Sequence, residues 1–107
     1  MQTQALAICA VQGDTVIARI SGEIDHHTVR SVRKEIDGAL YLHRPQKLVI
    51  DLSEMNFMDS SGLGLIVGRV GSAREIGAAV EITGTSERAR HIFEMAGLFR
   101  MEGLNIK

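Results

Sequence analysis

The apolar run and the helical spacing of apolar positions between Lys47 and Val70 are the pattern around which the rest of the chain is arranged. Leu48, Val49 and Ile50 precede Asp51, and Leu52 follows it. Such a run suits a strand covered on both faces, and strands of that kind sit centrally in a sheet. A loop, Ser53 to Met58, is expected next, after which Asp59-Ser60-Ser61-Gly62-Leu63-Gly64 opens a helix. Asp59, Ser60 and Ser61 are helix-capping types, while Leu63, Ile66, Val67 and Val70 share the face predicted to be buried. A serine hydroxyl is thereby presented at a helix N-terminus.

On the N-terminal side, the apolar run Ala5 to Val11, the turn signal Gly13-Asp14 and a second strand Thr15 to Ser21 predict a hairpin. Gly22-Glu23-Ile24-Asp25 leads into a helix with Val29, Val32, Ile36, Ala39 and Leu40 on one stripe, capped by Asp25 or Thr28 and stopped before Arg44-Pro45. The helix opened by Asp59 to Ser61 runs to Ile76, with Gly77 as a left-handed cap. A strand from Ala79 to Thr83 follows, then a third helix capped by Thr85 or Ser86, with Ala89, Ile92, Phe93 and Ala96 inward and Gly97 at its end. Leu98-Phe99 should pack back on the core, and Leu104 with Ile106 suggest a last short strand. This order predicts a single α/β domain over residues 1–107, a mixed sheet of four to five strands covered by helices.

With 107 residues the chain is long enough to bury a core without disulfides or metal. A net charge of −1 with no basic cluster argues against nucleic-acid binding. Gly62, Gly64, Gly68 and Arg69 interrupt the most apolar stretch, and no signal sequence is evident, so a soluble cytoplasmic protein without membrane contact is expected. The single cysteine, Cys9, reads as a small buried hydrophobe. His26 and His27 are adjacent and cannot easily share one metal, so no zinc site and no cofactor are expected. His43 and His91 read as solvated, and Met55, Met58 and Met95 as packing residues.

Asp59-Ser60-Ser61-Gly62 admits several readings. Capping plus a glycine for close packing explains it without any function. A serine hydrolase elbow needs Gly-x-Ser-x-Gly, and Met58 stands where its first glycine belongs. Gly62-x-Gly64-x-x-x-Gly68 looks like a dinucleotide fingerprint, but the strand expected to end near Leu52 leaves Gly62 too distant, and these glycines are expected to let the helix lie close on the sheet. A small nucleotide-binding or hydrolytic domain using the Asp59 to Gly64 loop is the alternative kept. Phosphorylation of Ser60 is the third reading: about −1.5 to −2 charges would arrive beside helix N–H groups able to accept them, and beside Asp59, where a docked partner would meet them.

Gly22-Glu23-Ile24-Asp25-His26-His27-Thr28, Phe57-Met58-Asp59-Ser60-Ser61-Gly62-Leu63-Gly64, Gly68-Arg69 and Phe93-Glu94-Met95-Ala96-Gly97-Leu98-Phe99, in that order, resemble the anti-sigma factor antagonists. Those proteins are single STAS domains, and the likeness is nearest to the stage II sporulation anti-anti-sigma factor. The resemblance implies a partner switch in transcription regulation, not an enzyme. Unphosphorylated, such a domain binds an anti-sigma factor that is also a serine kinase, holding ATP in its own site, and so frees the sigma factor. Phosphorylation of the serine after the motif aspartate, here Ser60, ends binding, and a PP2C-type phosphatase restores it. Glu23, Asp25, His26, His27, Thr28, Met58, Asp59, Ser60, Ser61 and Gly62 are the partner-binding positions so implied, with Gly62 allowing close approach of the kinase.

Overall fold

The structure, a computed structural model, describes residues 4–107. Strands β1 (Ala5–Gln12) and β2 (Thr15–Ile24) form the expected antiparallel hairpin. They turn at Gly13, whose φ of 59° is left-handed and free of strain only for glycine. β2 then pairs in parallel with β3 (Lys47–Met58), β3 with β4 (Ala79–Thr83), and β4 with β5 (Leu104–Ile106). The strand order is β1-β2-β3-β4-β5, which makes β3 central, as its aliphatic run predicts.

Helices α1 (Val29–His43), α2 (Ser61–Glu75) and α3 (Glu87–Met95) make the three parallel crossovers. Right-handed crossovers that all step in one direction across a sheet put their helices on one face. Val16, Ala18, Ile20, Leu48, Ile50, Leu52, Val80 and Ile82 face that layer and are buried with Val32, Ile36, Leu40, Ile66, Val70 and Phe93. The other face is not covered by a helix, so Val49 and Asp51 of β3 are only half-buried, against the expectation of cover on both sides. It carries ion pairs instead: Arg19 with Asp51 at 3.2 Å, and Lys47 and Lys107 with Glu81, each at 3.2 Å.

Helix ends follow the punctuation in the sequence. Gly77 and Gly97 take φ of 75° and 77° beyond α2 and α3, and Ser86 Oγ accepts the Ala89 N–H at 3.1 Å to cap α3. Arg44 closes α1 in the left-handed region, its N–H donating to Leu40, just before Pro45.

Several expectations are corrected. Ser53 to Met58 is strand, not loop: Ser21, Gly22, Glu23 and Ile24 of the lengthened β2 pair with Glu54, Met55, Phe57 and Met58. β4 ends at Thr83 opposite Asp51, so this half of β3 has a neighbour on β2's side alone and loses the alternating burial by which strands are recognised. Gly22 is a bulge and not a stop: at φ 89° it lets β2 continue past a register shift, and a Cβ there would collide with the Gln4 carbonyl oxygen. Finally, α2 is turned from its expected face. Gly62, Leu65, Ile66, Arg69, Val70 and Ala73 are its buried residues, Leu63 is half-buried, and Val67 is 42% exposed. Met95 is also exposed, at 78%, as is Ala96, whereas Met55 and Met58 do pack.

Candidate functional site

The carboxyl ends of β2 and β3 lie side by side, Ile24 opposite Met58, and the Asp59 N–H donates to the Ile24 carbonyl at 3.0 Å. The two segments singled out in the sequence, Asp25 to Thr28 and Asp59 to Gly62, therefore form one surface at the end of the sheet where α1 and α2 begin. Strand ends of this kind are where α/β folds meet their ligands and partners.

Asp25 organises the first segment. Its Oδ1 accepts the N–H groups of His27 at 2.8 Å and Thr28 at 3.0 Å, and its carbonyl accepts the N–H of Val29. Partial burial would raise its pKa, but those N–H donors, together with the nearby Thr28 hydroxyl and His27, outweigh it and hold the carboxyl below its usual range. Thr28 is buried; its hydroxyl donates to the Glu23 carbonyl at 2.8 Å and accepts the Asp25 N–H at 3.0 Å. Asp25 thus supplies the capping bonds, while Thr28, in the N-cap position, makes no side-chain cap. His26 and His27 project outward, both exposed, with ring centroids 3.9 Å apart.

In the second segment Asp59 turns inward to its own backbone, Oδ1 accepting the Ser61 N–H at 2.8 Å. Ser60 is the N-cap residue by position, but with φ −63° and ψ −16° its backbone is already helical and its hydroxyl makes no capping bond. A capping serine normally has extended backbone and accepts an N–H from the first turn. The Ser60 side chain is exposed, and because it makes no capping bond the capping explanation fails for this hydroxyl.

Gly62 has its reason inside the protein, since a Cβ there would strike Sδ and Cγ of Met58, which is buried at 5% exposure. Thr28, Met58 and Gly62 therefore shape the surface from beneath, and Glu23, Asp25, Asp59 and Ser61 are half-buried at its floor. Gly64 and Gly68 differ: a Cβ on either meets nothing within 4 Å, so close packing on the sheet does not explain them. Because β3 runs to Met58, spacing no longer separates Gly62 from a dinucleotide turn. The helix does: Gly62 already lies inside α2, whereas the first glycine of such a fingerprint turns the chain before the helix, and Gly68 lacks the close packing that the third glycine serves.

Sequence reading missed two exposed apolar residues, Phe57 at 39%, just before Met58 and with the Arg88 guanidinium 5.5 Å from its ring centroid, and Val67 farther along α2. No alternation in the sequence marks them: Phe57 and Met58 are adjacent and both apolar, and Val67 falls among the apolar residues Leu65 and Ile66. Elsewhere, Cys9 is half-buried and its thiol pKa is raised by burial and then by the Glu35 charge; His43 and His91 are exposed. Among the described residues no cluster of three His, Cys, Asp or Glu could hold a metal, and no helix is long and apolar enough to cross a membrane.

The sequence pattern of the STAS domain matches residues 7–107. The chain belongs to the STAS domain family. Among STAS relatives, the anti-sigma F factor antagonist of Paenibacillus polymyxa is 36% identical over 86 residues, covering 80% of this chain and 74% of the relative. The anti-sigma-B factor antagonist of Listeria monocytogenes is 35% identical over 79 residues, 74% of this chain and 68% of the relative. The STAS fold is matched by the anti-sigma factor antagonist SpoIIAA in its unphosphorylated form with a TM-score of 0.79 at 27% identity, over 95% of this chain and 88% of that one. SpoIIAA in its phosphorylated form matches at 0.72 and 27% identity, over 95% and 91%.

Proposed function

We propose that this STAS domain is an anti-sigma factor antagonist switched by phosphorylation of Ser60. The observation that carries the reading is the Ser60 hydroxyl: exposed, at the start of α2, and making no capping bond in a position where a serine ordinarily caps the helix. It is available for phosphoryl transfer without loss of a structural bond. Relatives are named anti-sigma F and anti-sigma-B factor antagonists, and a structural neighbour exists in phosphorylated form.

In the unmodified state the surface of Glu23, Asp25, His26, His27, Asp59, Ser60 and Ser61, held in shape by Thr28, Met58 and Gly62, docks an anti-sigma factor that is also a serine kinase and carries the ATP. The domain itself is a cytoplasmic binding module and not an enzyme. Phosphate on Ser60 adds about −1.5 to −2 charges next to Asp59, in the middle of the docked area. Each 1.4 kcal/mol of resulting penalty lowers affinity about tenfold. A PP2C-type phosphatase removes the group and restores binding.

Incubation with the cognate anti-sigma kinase and ATP, followed by peptide mass spectrometry, tests this. Phosphate on Ser60 is expected, with Ser60→Ala still binding the kinase and Ser60→Asp binding at least about tenfold more weakly. Phosphate on another residue overturns the reading. Calorimetric titration with ATP or GTP alone should show no binding; tight binding by the isolated chain would favour a nucleotide-binding domain instead.

A further inference from the structure

A groove of about 470 Å³ runs between α1 and α2, starting beside Ser61. His26, Arg30 and Arg33 line it from the α1 side, and Gly64, Gly68 and Arg69 from α2; no Asp or Glu is among its lining residues. Arg30 and Arg33 are exposed and unpaired with any described carboxylate within salt-bridge distance, so their charge is offered to solvent along the rim. Arg69 is different, being 6% exposed. Its Nε lies 2.7 Å from Asp37 Oδ1, yet the approach is off the hydrogen-bonding direction, and Nε, Nη1 and that oxygen complete no hydrogen bond among the described residues. Burial lowers the Arg69 pKa, Asp37 raises it, and the neighbouring Arg33 charge lowers it again. Asp37 thus offsets the Arg69 charge, while Arg30 and Arg33 leave theirs uncompensated along the groove.

The α2 wall is equally unusual. Gly64 and Gly68 stand one turn apart, and each weakens the helix relative to alanine. Neither is small for an internal reason, because the space a Cβ would take is empty. A helix surface bared in this way admits another backbone at close range. Val67, on the same exposed side of α2, supplies apolar contact.

We infer that the groove receives an acidic helix of the anti-sigma partner, its backbone lying against Gly64 and Gly68 and its carboxylates reaching Arg30 and Arg33. Complementary charge of this kind sets register and speeds encounter. The inference rests on the proposed function and extends its surface from the Ser60 turn along α2.

Calorimetric titration of the anti-sigma kinase into the full chain tests it, using wild type, Ser60→Asp, Gly68→Ala and the double variant Arg30→Glu/Arg33→Glu, each with a thermal melt. Gly68→Ala is expected to melt at or above the wild-type temperature yet bind about tenfold or more weakly. The charge-reversed variant should bind about thirtyfold or more weakly, and wild-type affinity should fall as salt rises. If the reversal melts early, Arg30→Gln/Arg33→Gln replaces it and should lose about fivefold or more. Affinity within about twofold of wild type for Gly68→Ala or for the charge variant overturns the groove while Ser60→Asp still reports on the switch. No binding by wild type overturns both.

Discussion

Met58 and Gly62 are fitted to one another: the buried Met58 side chain fills the space that a Cβ on residue 62 would need. This contact joins the last residue of β3 to the first turn of α2, and Ser60 lies between them. Gly62→Ala is therefore expected to destabilise the domain by roughly 1–3 kcal/mol, the usual cost of overpacking a filled site. Met58→Ala alone should cost about 2–5 kcal/mol through the cavity it leaves. In the double variant the new methyl occupies part of that cavity, so its loss should be smaller than the sum of the two single losses. Urea denaturation of the four proteins measures the coupling; strict additivity would show that the two side chains do not share space.

Two serines stand before helices and only one caps. Ser86 has extended backbone and accepts the Ala89 N–H, whereas Ser60 has helical backbone and a hydroxyl that makes no capping bond. Ser86→Ala should then cost about 1 kcal/mol, and Ser60→Ala less than about 0.5 kcal/mol. Chemical denaturation of both variants decides between a structural and an available Ser60: an equal loss at the two positions would mean that Ser60 holds α2 together.

Where side-chain burial alternated or a glycine forced a left-handed turn, the architecture was legible in advance. The hairpin at Gly13, the central run Leu48 to Leu52, the ends of α2 and α3 at Gly77 and Gly97, and the Ser86 cap are local effects, written in a few adjacent residues. The second half of β3 was not legible, because Ser53 to Met58 gains its strand character from pairing with β2 and not from its own pattern. Nor was the rotation of α2. Leu63, Leu65, Ile66 and Val67 make its first two turns apolar nearly all round, and it is the Met58–Gly62 fit and the burial of Arg69 near Asp37 that choose the inward side. The candidate site was legible as two separate segments; that Ile24 pairs with Met58 and so brings them together is a fact of the sheet.

Thr28 ties the first of those segments down. Its hydroxyl serves both the Glu23 carbonyl and the Asp25 N–H, and the residue is only 8% exposed. Thr28→Val keeps the shape and removes both bonds, leaving two backbone groups without partners at a cost of about 1–3 kcal/mol. Thr28→Ser keeps the hydroxyl and should recover most of that. Amide hydrogen exchange should show faster exchange at Asp25 in the valine variant, while an unchanged Asp25 amide would remove Thr28 from this role.

Acid stability depends on the uncovered face of the sheet. Glu81 has an ordinary value of 4.5; its burial would raise this, but the hydrogen bonds and charges of Lys47 and Lys107 lower it. Its folded pKa lies below its unfolded one, so between the two the unfolded chain binds the extra proton and folding is stabilised as pH rises. The stabilisation is complete above the unfolded value, is lost as pH falls through the folded value, and is absent below it. Lys47 and Lys107 are 43% and 59% exposed, so salt screens the effect. Asp51 adds a second contribution of the same sign: burial raises its pKa, while bonds from Ser53 and the Arg19 guanidinium outweigh that. Urea midpoints followed between about pH 6 and pH 3 should therefore fall steeply for wild type and less steeply for Glu81→Gln, which starts lower at neutral pH. Asp51→Asn should flatten the remaining slope, and added salt should shrink the difference between Glu81→Gln and wild type. Parallel curves for wild type and Glu81→Gln would show that the two lysines leave the Glu81 carboxylate where it stands in the unfolded chain.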